Sequence, residues 1–216
     1  MSFKEFDKIP RLHRQAVITE KIDGTNASIE ILSAQDVALQ FADGNDIVDP
    51  SYYIAKHEDG SVMFAGSRTR YVVPAADNYG FAAWVKANAG ALWGLGPGQH
   101  FGEWWGGGVQ RGYGLGKEKR FSLFNVGRWF DVHGTNPARG EKQSCLPECC
   151  WTVPILAEGV FSSSLVDSAL ATLKETGSKA ALGFMNPEGI VVWHEAAKQL
   201  FKVTLEKDAE HKGQQG

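Results

Sequence analysis

Long hydrophobic runs are missing from this 216-residue sequence. No apolar segment approaches the roughly 20 residues that a membrane-spanning helix needs. Residues 1–14 (MSFKEFDKIPRLHR) also lack the apolar core of a secretory signal peptide. The sequence therefore predicts a cytoplasmic protein that does not engage a membrane.

Cysteine is scarce and unevenly placed, with three residues crowded at Cys145, Cys149 and Cys150. An odd number of closely spaced cysteines argues against the disulfide framework of a small secreted domain. A zinc site would need a fourth ligand, for which His133 is a candidate, and would lack paired Cys-x-x-Cys units. We predict reduced loop cysteines, with a zinc site as the alternative.

An excess of charge of one sign is absent as well. The chain has 22 basic and 25 acidic side chains, for a formal net charge of −3. Strong nonspecific binding of nucleic acid is not predicted by this balance, so any such surface must be a local patch. An enzyme that engages a nucleic acid only briefly remains compatible with the composition.

The aromatic and β-branched residues occur in short segments separated by glycine. Strands are predicted over 16–22, 27–32, 62–65, 100–105, 121–126 and 189–193, and helices over 78–89 and 164–175. Ser163 or Ser164 is predicted to cap the second helix, and 131–151 is predicted to be a long loop. Many strands and few helices without regular alternation indicate an α+β fold. We expect one domain over 1–205, followed by a polar, flexible tail over 206–216.

The glycine-rich run 106–117 (GGGVQRGYGLGK) invites comparison with a phosphate-binding loop. That motif needs glycine where Arg111 stands and serine or threonine where Glu118 stands. A dinucleotide fingerprint needs a helix after its first glycines, and the later glycines of the run would interrupt one. Neither motif is predicted here.

Lys21 is chemically the most informative residue, in the run 20–26 (EKIDGTN). A lysine amine can attack the α-phosphate of a nucleotide and hold the nucleotide as a phosphoramidate. Lys21 lies at the end of a predicted strand, from which a nucleophile can be aimed. A solvated hairpin lysine before an Asp-Gly turn would give the same short pattern, so the rest of the chain decides between the two.

Further segments with chemical meaning follow Lys21. Residues 65–70 (AGSRTR) place two arginines after a strand, and 101–106 (FGEWWG) present one carboxylate among aromatic side chains. Residues 187–192 (PEGIVV) place a carboxylate at the start of an apolar strand. Residues 200–204 (LFKVT) set a lysine inside a strand-like run.

In this order, the segments resemble the nucleotidyltransferase motifs of ATP-dependent polynucleotide ligases, most closely the RNA ligase family. The resemblance spans 20–204. It implies a nucleotidyltransferase fold of mostly antiparallel sheets flanked by helices, without an appended OB domain. It also implies that ATP and Mg²⁺ or Mn²⁺ are used to seal 3′-hydroxyl and 5′-phosphate ends of RNA, with DNA left open, through a lysyl-AMP intermediate. A partner protein could supply strand binding.

The resemblance also assigns roles to individual residues. It gives catalytic roles to Lys21, Lys202, Asp23 and Asn26, nucleotide-binding roles to Glu20, Arg68, Glu103, Phe124 and Lys202, and metal-binding roles to Glu188 and Asn26. Phe124 would stack on adenine, and Glu103 would lie near the ribose hydroxyls. Arg68 would face the ribose or the incoming strand end, and Glu20 would lie beside adenine through its main chain. A cation near Lys21, such as Lys202, would favour the neutral amine that attacks.

The last motif departs from the family pattern, which often has two lysines separated by one residue. Leu200 and Thr204 stand at that spacing from Lys202, so Lys198 or Lys207 is a candidate for the missing lysine. Three alternative functions remain open at this point. They are a DNA ligase, a GTP-dependent capping-like nucleotidyltransferase, and a non-catalytic nucleotide-binding protein of the same fold.

Overall fold

The structure is a computed structural model that describes residues 8–42 and 49–206. Its strands are β1 (Gln15–Lys21), β2 (Thr25–Leu32), β3 (Ala55–Lys56), β4 (Val62–Ser67), β5 (Tyr71–Val72), β6 (Gly98–Gly106), β7 (Lys119–Leu123), β8 (Trp129–Phe130), β9 (Ser144–Cys145), β10 (Cys150–Thr152), β11 (Ile155–Val160), β12 (Gly189–His194) and β13 (Gln199–Thr204). Its helices are α1 (Ala34–Ala42), α2 (Phe81–Leu92) and α3 (Ser163–Thr176), with short 3-10 turns at Pro50–Tyr52 and Trp93–Leu95. The sheet-dominated mixture confirms the predicted α+β class.

The chain divides into two compact units. The first comprises residues up to 21 together with those from 154 onwards, and the second comprises 22–153. Compact units within a domain need not fold alone, so the single domain predicted over 1–205 stays a prediction. Of the predicted flexible tail, residues 207–216 lie outside the described residues, as does Lys207.

The first unit is a four-stranded antiparallel sheet in the order β11-β1-β12-β13. Ile18 lies opposite Val192, and both side chains are buried with Leu173 of α3. Because side chains alternate along a strand, the residues between these core positions face the other way. That second face carries Lys21 on β1 and Lys202 on β13.

Helix α3 begins one residue before its predicted start, and its cap differs from the prediction. The Ser162 hydroxyl accepts a hydrogen bond from the Leu165 main-chain N–H at 3.2 Å. Ser162 has the extended backbone that an N-cap requires, whereas Ser163 and Ser164 are already helical. The prediction that Ser163 or Ser164 caps the helix is therefore wrong, because the cap is Ser162.

The second unit contains a larger sheet in the order β10-β7-β6-β2-β4-β3, with β5 also paired to β4. All its pairs are antiparallel except β7 with β10. One face is apolar and packs in the core with α2; its residues include Ala27, Ile29, Trp104, Phe121 and Leu123. The other face carries polar side chains, because Asn26, Glu103 and Ser122 lie side by side across β2, β6 and β7.

Helix α2 begins three residues later than predicted, after Gly80 with its left-handed backbone (φ 83°). A glycine offers no capping side chain, and Asp77 takes over that function. Its carboxylate accepts hydrogen bonds from the Ala82 and Ala83 main-chain N–H groups at 2.8 and 3.0 Å. None of the described helices has both the length and the apolar character required to cross a membrane.

Strands β1 and β2 do not form a hairpin, although only a short polar run separates them. Strand β1 pairs with β11 and β12, whereas β2 pairs with β4 and β6 in the other sheet. The alternative of a hairpin lysine before an Asp-Gly turn is therefore wrong. Lys21 ends a central strand of the first sheet.

The predicted long loop over 131–151 contains β9 and the start of β10. Its buried Asp131 carboxylate accepts hydrogen bonds from the His133 and Thr135 N–H groups and from the main chain and hydroxyl of Thr152. Nearby, the cysteines are free thiols. His133 stacks on Trp151 with 4.2 Å between ring centroids, and no group of three metal-binding side chains occurs among the described residues.

Candidate active site

Lys21 and Glu188 form an ion pair at one end of the first sheet. Lys21 is the last residue of β1, and its register partner is Gly189, the first residue of β12. Glu188 directly precedes that glycine, which brings Lys21 Nζ to 2.6 Å from Glu188 Oε2. The side chains are only 25% and 18% exposed, so the carboxylate holds the amine in a partly desolvated position.

Gly189 allows the strands to approach closely beside this pair. A Cβ at position 189 would lie 2.1 Å from the Val203 carbonyl oxygen, and the backbone has φ 155°, which L residues rarely adopt. The Leu205 N–H also donates to the Glu188 carbonyl at 2.9 Å. These constraints fix the main chain that carries the Glu188 carboxylate.

Lys202 lies on the same face of the first sheet as Lys21. It is opposite Val191 of β12, and β12 separates it from β1. Neighbouring strands are about 4.8 Å apart, so β13 and β1 are separated by roughly 10 Å. The exposed side chain of Lys202 makes no hydrogen bond or ion pair with the described residues. This face therefore presents a second, unpaired cation.

Lys198 does not stand in for the missing lysine of the last motif. It lies in the turn between β12 and β13, with φ 49°, next to the pair His194 and Gln199. Lys21 lies at the opposite end of the sheet, beside Gly189. Lys198 is therefore wrong as a substitute, because a six-residue strand separates it from the ion pair.

The Glu20 side chain lies on the face opposite Lys21 and is 1% exposed. Its Oε2 accepts hydrogen bonds from the Lys179 and Ala180 N–H groups at 2.8 and 3.0 Å. Oε1 has no hydrogen-bond partner among the described residues. Burial raises the pKa of Glu20, against the opposing effect of hydrogen bonds from Ser178, Ala180 and Lys179. The side chain thus fastens the 178–181 segment to β1.

In the second unit, the residues that follow Lys21 in the chain are held by three contacts. The Asp23 carboxylate pairs with Arg111 Nε at 2.9 Å, and the Asp23 N–H donates to the Tyr113 hydroxyl at 2.8 Å. The Gly24 N–H donates to Glu103 Oε1 at 3.1 Å. The sequence motifs did not predict that Arg111 and Tyr113 contact Asp23.

The other predicted residues of the second unit lie on or beside its polar sheet face. Asn26 of β2 is the register partner of Glu103, so their side chains are neighbours. Arg68 is exposed in the turn between β4 and β5. Phe124 follows β7, with its N–H bonded to the Phe101 carbonyl, and its side chain is 39% exposed. That exposure argues against a role for Phe124 as an ordinary core residue.

Comparisons with known proteins point to one family. A sequence model of the RNA ligase family, described as RNA ligase, matches residues 14–204. No curated protein matches the sequence significantly. The fold is similar to that of a solved Naegleria gruberi RNA ligase, an alanine mutant with ATP and Mn, with a TM-score of 0.53 and 15% identity over 94% of this chain. The match covers 53% of that protein, so this chain spans about half its length, and at this identity the likeness concerns the fold alone.

Proposed function

The chain belongs to the RNA ligase family, and on that premise we propose that it is an ATP-dependent enzyme that seals RNA 3′-hydroxyl and 5′-phosphate ends through a Lys21-AMP intermediate. The observation that carries the proposal is the Lys21–Glu188 pair of 2.6 Å at the end of β1. It sets a lysine amine, partly withdrawn from water, at a fixed point beside a carboxylate.

In the first step, Lys21 Nζ attacks the α-phosphorus of ATP. The bond from that phosphorus to the bridging oxygen breaks, pyrophosphate leaves, and a nitrogen–phosphorus bond forms. The amine must lose its proton to attack. Glu188 is close enough to accept it, and Lys202, on the same sheet face, adds positive charge where the phosphates would develop negative charge.

The next steps transfer AMP and join the ends. A 5′-phosphate oxygen attacks the lysine-bound phosphorus, so the nitrogen–phosphorus bond breaks and Lys21 is released. A 3′-hydroxyl then attacks the 5′-phosphorus, AMP leaves, and a phosphodiester forms. In each step the protein mainly orients the reacting groups and offsets charge, which is where phosphoryl-transfer enzymes gain most of their rate.

We propose that residues of the second unit contact the nucleotide. Phe124 has the exposed ring that adenine stacking needs, a contact typically worth about 1–3 kcal/mol. Glu103, already bonded to the Gly24 N–H, is proposed to approach the ribose hydroxyls. Arg68, in an exposed turn, is proposed to contact the ribose or the incoming strand end, and Asp23 to act next to the nucleophile.

A divalent metal fits the residues present. Mg²⁺ commonly binds one or two protein carboxylates together with waters and substrate phosphates, so a single carboxylate suffices. Glu188 Oε2 pairs with Lys21 Nζ, whereas Glu188 Oε1 has no protein partner among the described residues. Oε1 is therefore available to a metal ion. When bound, Mg²⁺ or Mn²⁺ would neutralise phosphate charge. Glu188 and Asn26 are the residues proposed to hold the ion or its waters.

We also propose a fold family, a cellular location and a partner for the chain. The likeness over 94% of the chain supports a nucleotidyltransferase fold. The cytoplasmic location and a partner protein that supplies strand binding are proposed from the sequence.

Labelling with ATP tests the central chemistry. Incubation with Mg²⁺ and α-labelled ATP should leave label on the wild-type protein, and Lys21→Ala should lose the label because no other amine replaces Nζ. Lys86→Ala is the matched control, since Lys86 is an exposed lysine on α2 and should leave labelling unchanged.

Different results identify the alternatives. Absence of label from both ATP and GTP contradicts a lysyl-nucleotide intermediate, and label from GTP alone indicates a capping-like enzyme. If ATP labels the protein, sealing assays on matched RNA and DNA ends decide the polymer. Sealing of DNA alone contradicts the RNA assignment.

A further inference from the structure

The glycine-rich segment between β6 and β7 folds into a closed loop. The Gly107 N–H donates to the Glu118 carbonyl at 2.7 Å, which ties the two ends together. A Cβ on Gly107 would lie 2.1 Å from the Gly116 carbonyl oxygen, so only glycine permits this approach. Gly112 and Gly114 have φ near 70°, the left-handed region that glycine adopts without cost.

This loop returns the chain to the segment after Lys21. Arg111 Nε lies 2.9 Å from Asp23 Oδ2, and the Tyr113 hydroxyl accepts the Asp23 N–H at 2.8 Å. The side chains of Arg111 and Asp23 are 18% and 28% exposed, so the pair is partly shielded from solvent. One loop thus holds Asp23 by both its carboxylate and its main chain.

The tyrosine is itself rigidly supported. Tyr113 is buried, and its ring meets Trp105 edge-on with 5.0 Å between centroids. Trp105 in turn donates from its indole N–H to the Ser122 hydroxyl at 2.9 Å. The Tyr113 hydroxyl is thus held in place by contacts with β6 and β7. Because it is held in place, it can fix the position of the Asp23 main chain, which an exposed and mobile tyrosine could not.

Gly24 completes the contact from the other side. A Cβ at position 24 would lie 2.5 Å from the Trp104 carbonyl oxygen and 2.7 Å from Trp105 Cβ. The main chain at Gly24 therefore lies directly against β6, and its N–H bonds to Glu103. The Asp23-Gly24 segment has little freedom to move away from the loop.

We propose that Arg111 and Tyr113 are positioning residues, here called the Asp23 clamp, that fix the chain immediately after the nucleophile. The inference rests on the proposed function, because it assigns the clamp to the attack by Lys21. Asp23 is two residues beyond Lys21, so the clamp limits the main-chain conformations available to the residue that bears the amine. Displacement of a reacting group by about 1 Å can cost roughly 100-fold in rate.

Single-turnover labelling with ATP and Mg²⁺ tests the clamp. Tyr113→Phe and Arg111→Lys should each lower the maximal rate of Lys21 labelling by about tenfold to 100-fold. The ATP concentration that gives half the maximal rate should stay the same, since the proposal assigns both side chains to positioning Asp23 and not to binding ATP. A raised half-saturation concentration with an unchanged maximal rate overturns the proposal, because it identifies an ATP-binding role instead.

A double-mutant cycle separates action through Asp23 from an independent effect. If Arg111 acts through Asp23, Arg111→Lys should add little to the loss caused by Asp23→Asn, because residues in one interaction are not additive. Fully additive losses overturn the proposal. Thermal unfolding of each variant verifies that the rates refer to folded protein.

Amide hydrogen exchange gives a readout that does not depend on catalysis. Tyr113→Phe removes the acceptor of the Asp23 N–H, so exchange in the segment 22–24 should accelerate. Tyr53→Phe is the matched control: its ring packs on Phe64 in the same unit, and its hydroxyl has no hydrogen bond among the described residues.

Unchanged exchange at Asp23 in Tyr113→Phe overturns the clamp. If wild-type protein takes no label from ATP, the proposed function fails, while the exchange experiment still judges the clamp. If wild-type protein is labelled and the variants match it in rate, the clamp alone fails.

Discussion

Adjacent residues at the end of β1 have opposite environments. The Lys21 side chain meets a carboxylate at a partly exposed sheet end, whereas Glu20 is buried on the other face with two main-chain N–H groups on one oxygen. Strand alternation alone produces this separation. It allows the Glu20 carboxyl to lie next to Lys21 in sequence without pairing with the Lys21 amine.

The buried Glu20 makes stability depend on pH. Because burial raises its pKa, the folded protein keeps the proton to higher pH than the unfolded chain does. The associated stabilisation is complete below the unfolded pKa and is lost as pH rises through the folded pKa. We expect Glu20→Gln, which cannot ionise and still offers an acceptor oxygen, to gain stability relative to wild type as pH rises above 4.5, the ordinary pKa of a glutamate.

Thermal unfolding of both proteins at a series of pH values measures the difference in stability. Each unit by which the folded pKa of Glu20 exceeds its unfolded pKa corresponds to about 1.4 kcal/mol of unfolding free energy. Glu58→Gln is the control, since Glu58 is exposed and has no ion pair among the described residues, so its difference from wild type should not vary in this way. A pH-independent difference for Glu20→Gln contradicts an ionisable buried carboxyl.

Candidate site residues could be proposed from the sequence where each lies in a short, distinctive segment. Lys21 and Glu188 were proposed in this way, and the structure brings their side chains together. The contacts of Arg111 and Tyr113 with Asp23 were not predicted, because they join residues 88 and 90 positions apart in sequence. The contacts depend on the path that a glycine-rich loop takes in the folded protein. Glycines permit many backbone conformations, so their presence does not show which residues the loop will contact.

At the scale of elements, strands were easier to predict than their ends or partners. The central strands agree with the predicted segments, but β7 ends at Leu123 before the predicted boundary, and α1 and β11 were missed. Strand β11 has few buried side chains, so it lacks the apolar alternation that marks a strand. For α1 a signal existed, a reciprocal pair in which Ser33 and Asp36 each bond the other's main-chain N–H.

The N-cap of α3 gives a prediction for an element. Ser162→Ala removes the acceptor for the Leu165 N–H and should destabilise the protein by about 1 kcal/mol. For a chain of this size the melting temperature should fall by roughly 2–4 °C. Ser163→Ala should have little effect, because Ser163 is the first helical residue and its hydroxyl bonds no described group. Equal losses in thermal unfolding of the two variants contradict the assigned cap.

At the scale of the whole molecule, the fold class was predictable and the pairing was not. Composition and segment lengths indicated α+β, yet nothing local shows that β1 and β2, neighbours in sequence, belong to different sheets. Strand partners are chosen by burial and register over long sequence separations. The division into two units follows from that choice.

Nucleotide binding should stabilise the whole molecule. We expect an ATP analogue with a methylene group between the α- and β-phosphates, together with Mg²⁺, to raise the melting temperature without reaction at Lys21. At 100 times its dissociation constant a ligand contributes about 2.7 kcal/mol, or roughly 5–10 °C for a domain of this size. The corresponding GTP analogue at the same concentration is the control. Equal shifts contradict selection of adenine, and no shift with either contradicts nucleotide binding.

The pairing of β1 also determines how much of the chain must be synthesised before the first sheet can form. Both neighbours of β1 come from residues 155–194, whereas the second unit is complete once residue 153 has been made. A nascent chain on the ribosome therefore carries Lys21 long before Glu188 exists to meet it. An unfinished chain lacks the partner that holds the Lys21 amine, so under the proposed function we expect no lysyl-AMP to form before residue 188 has been made.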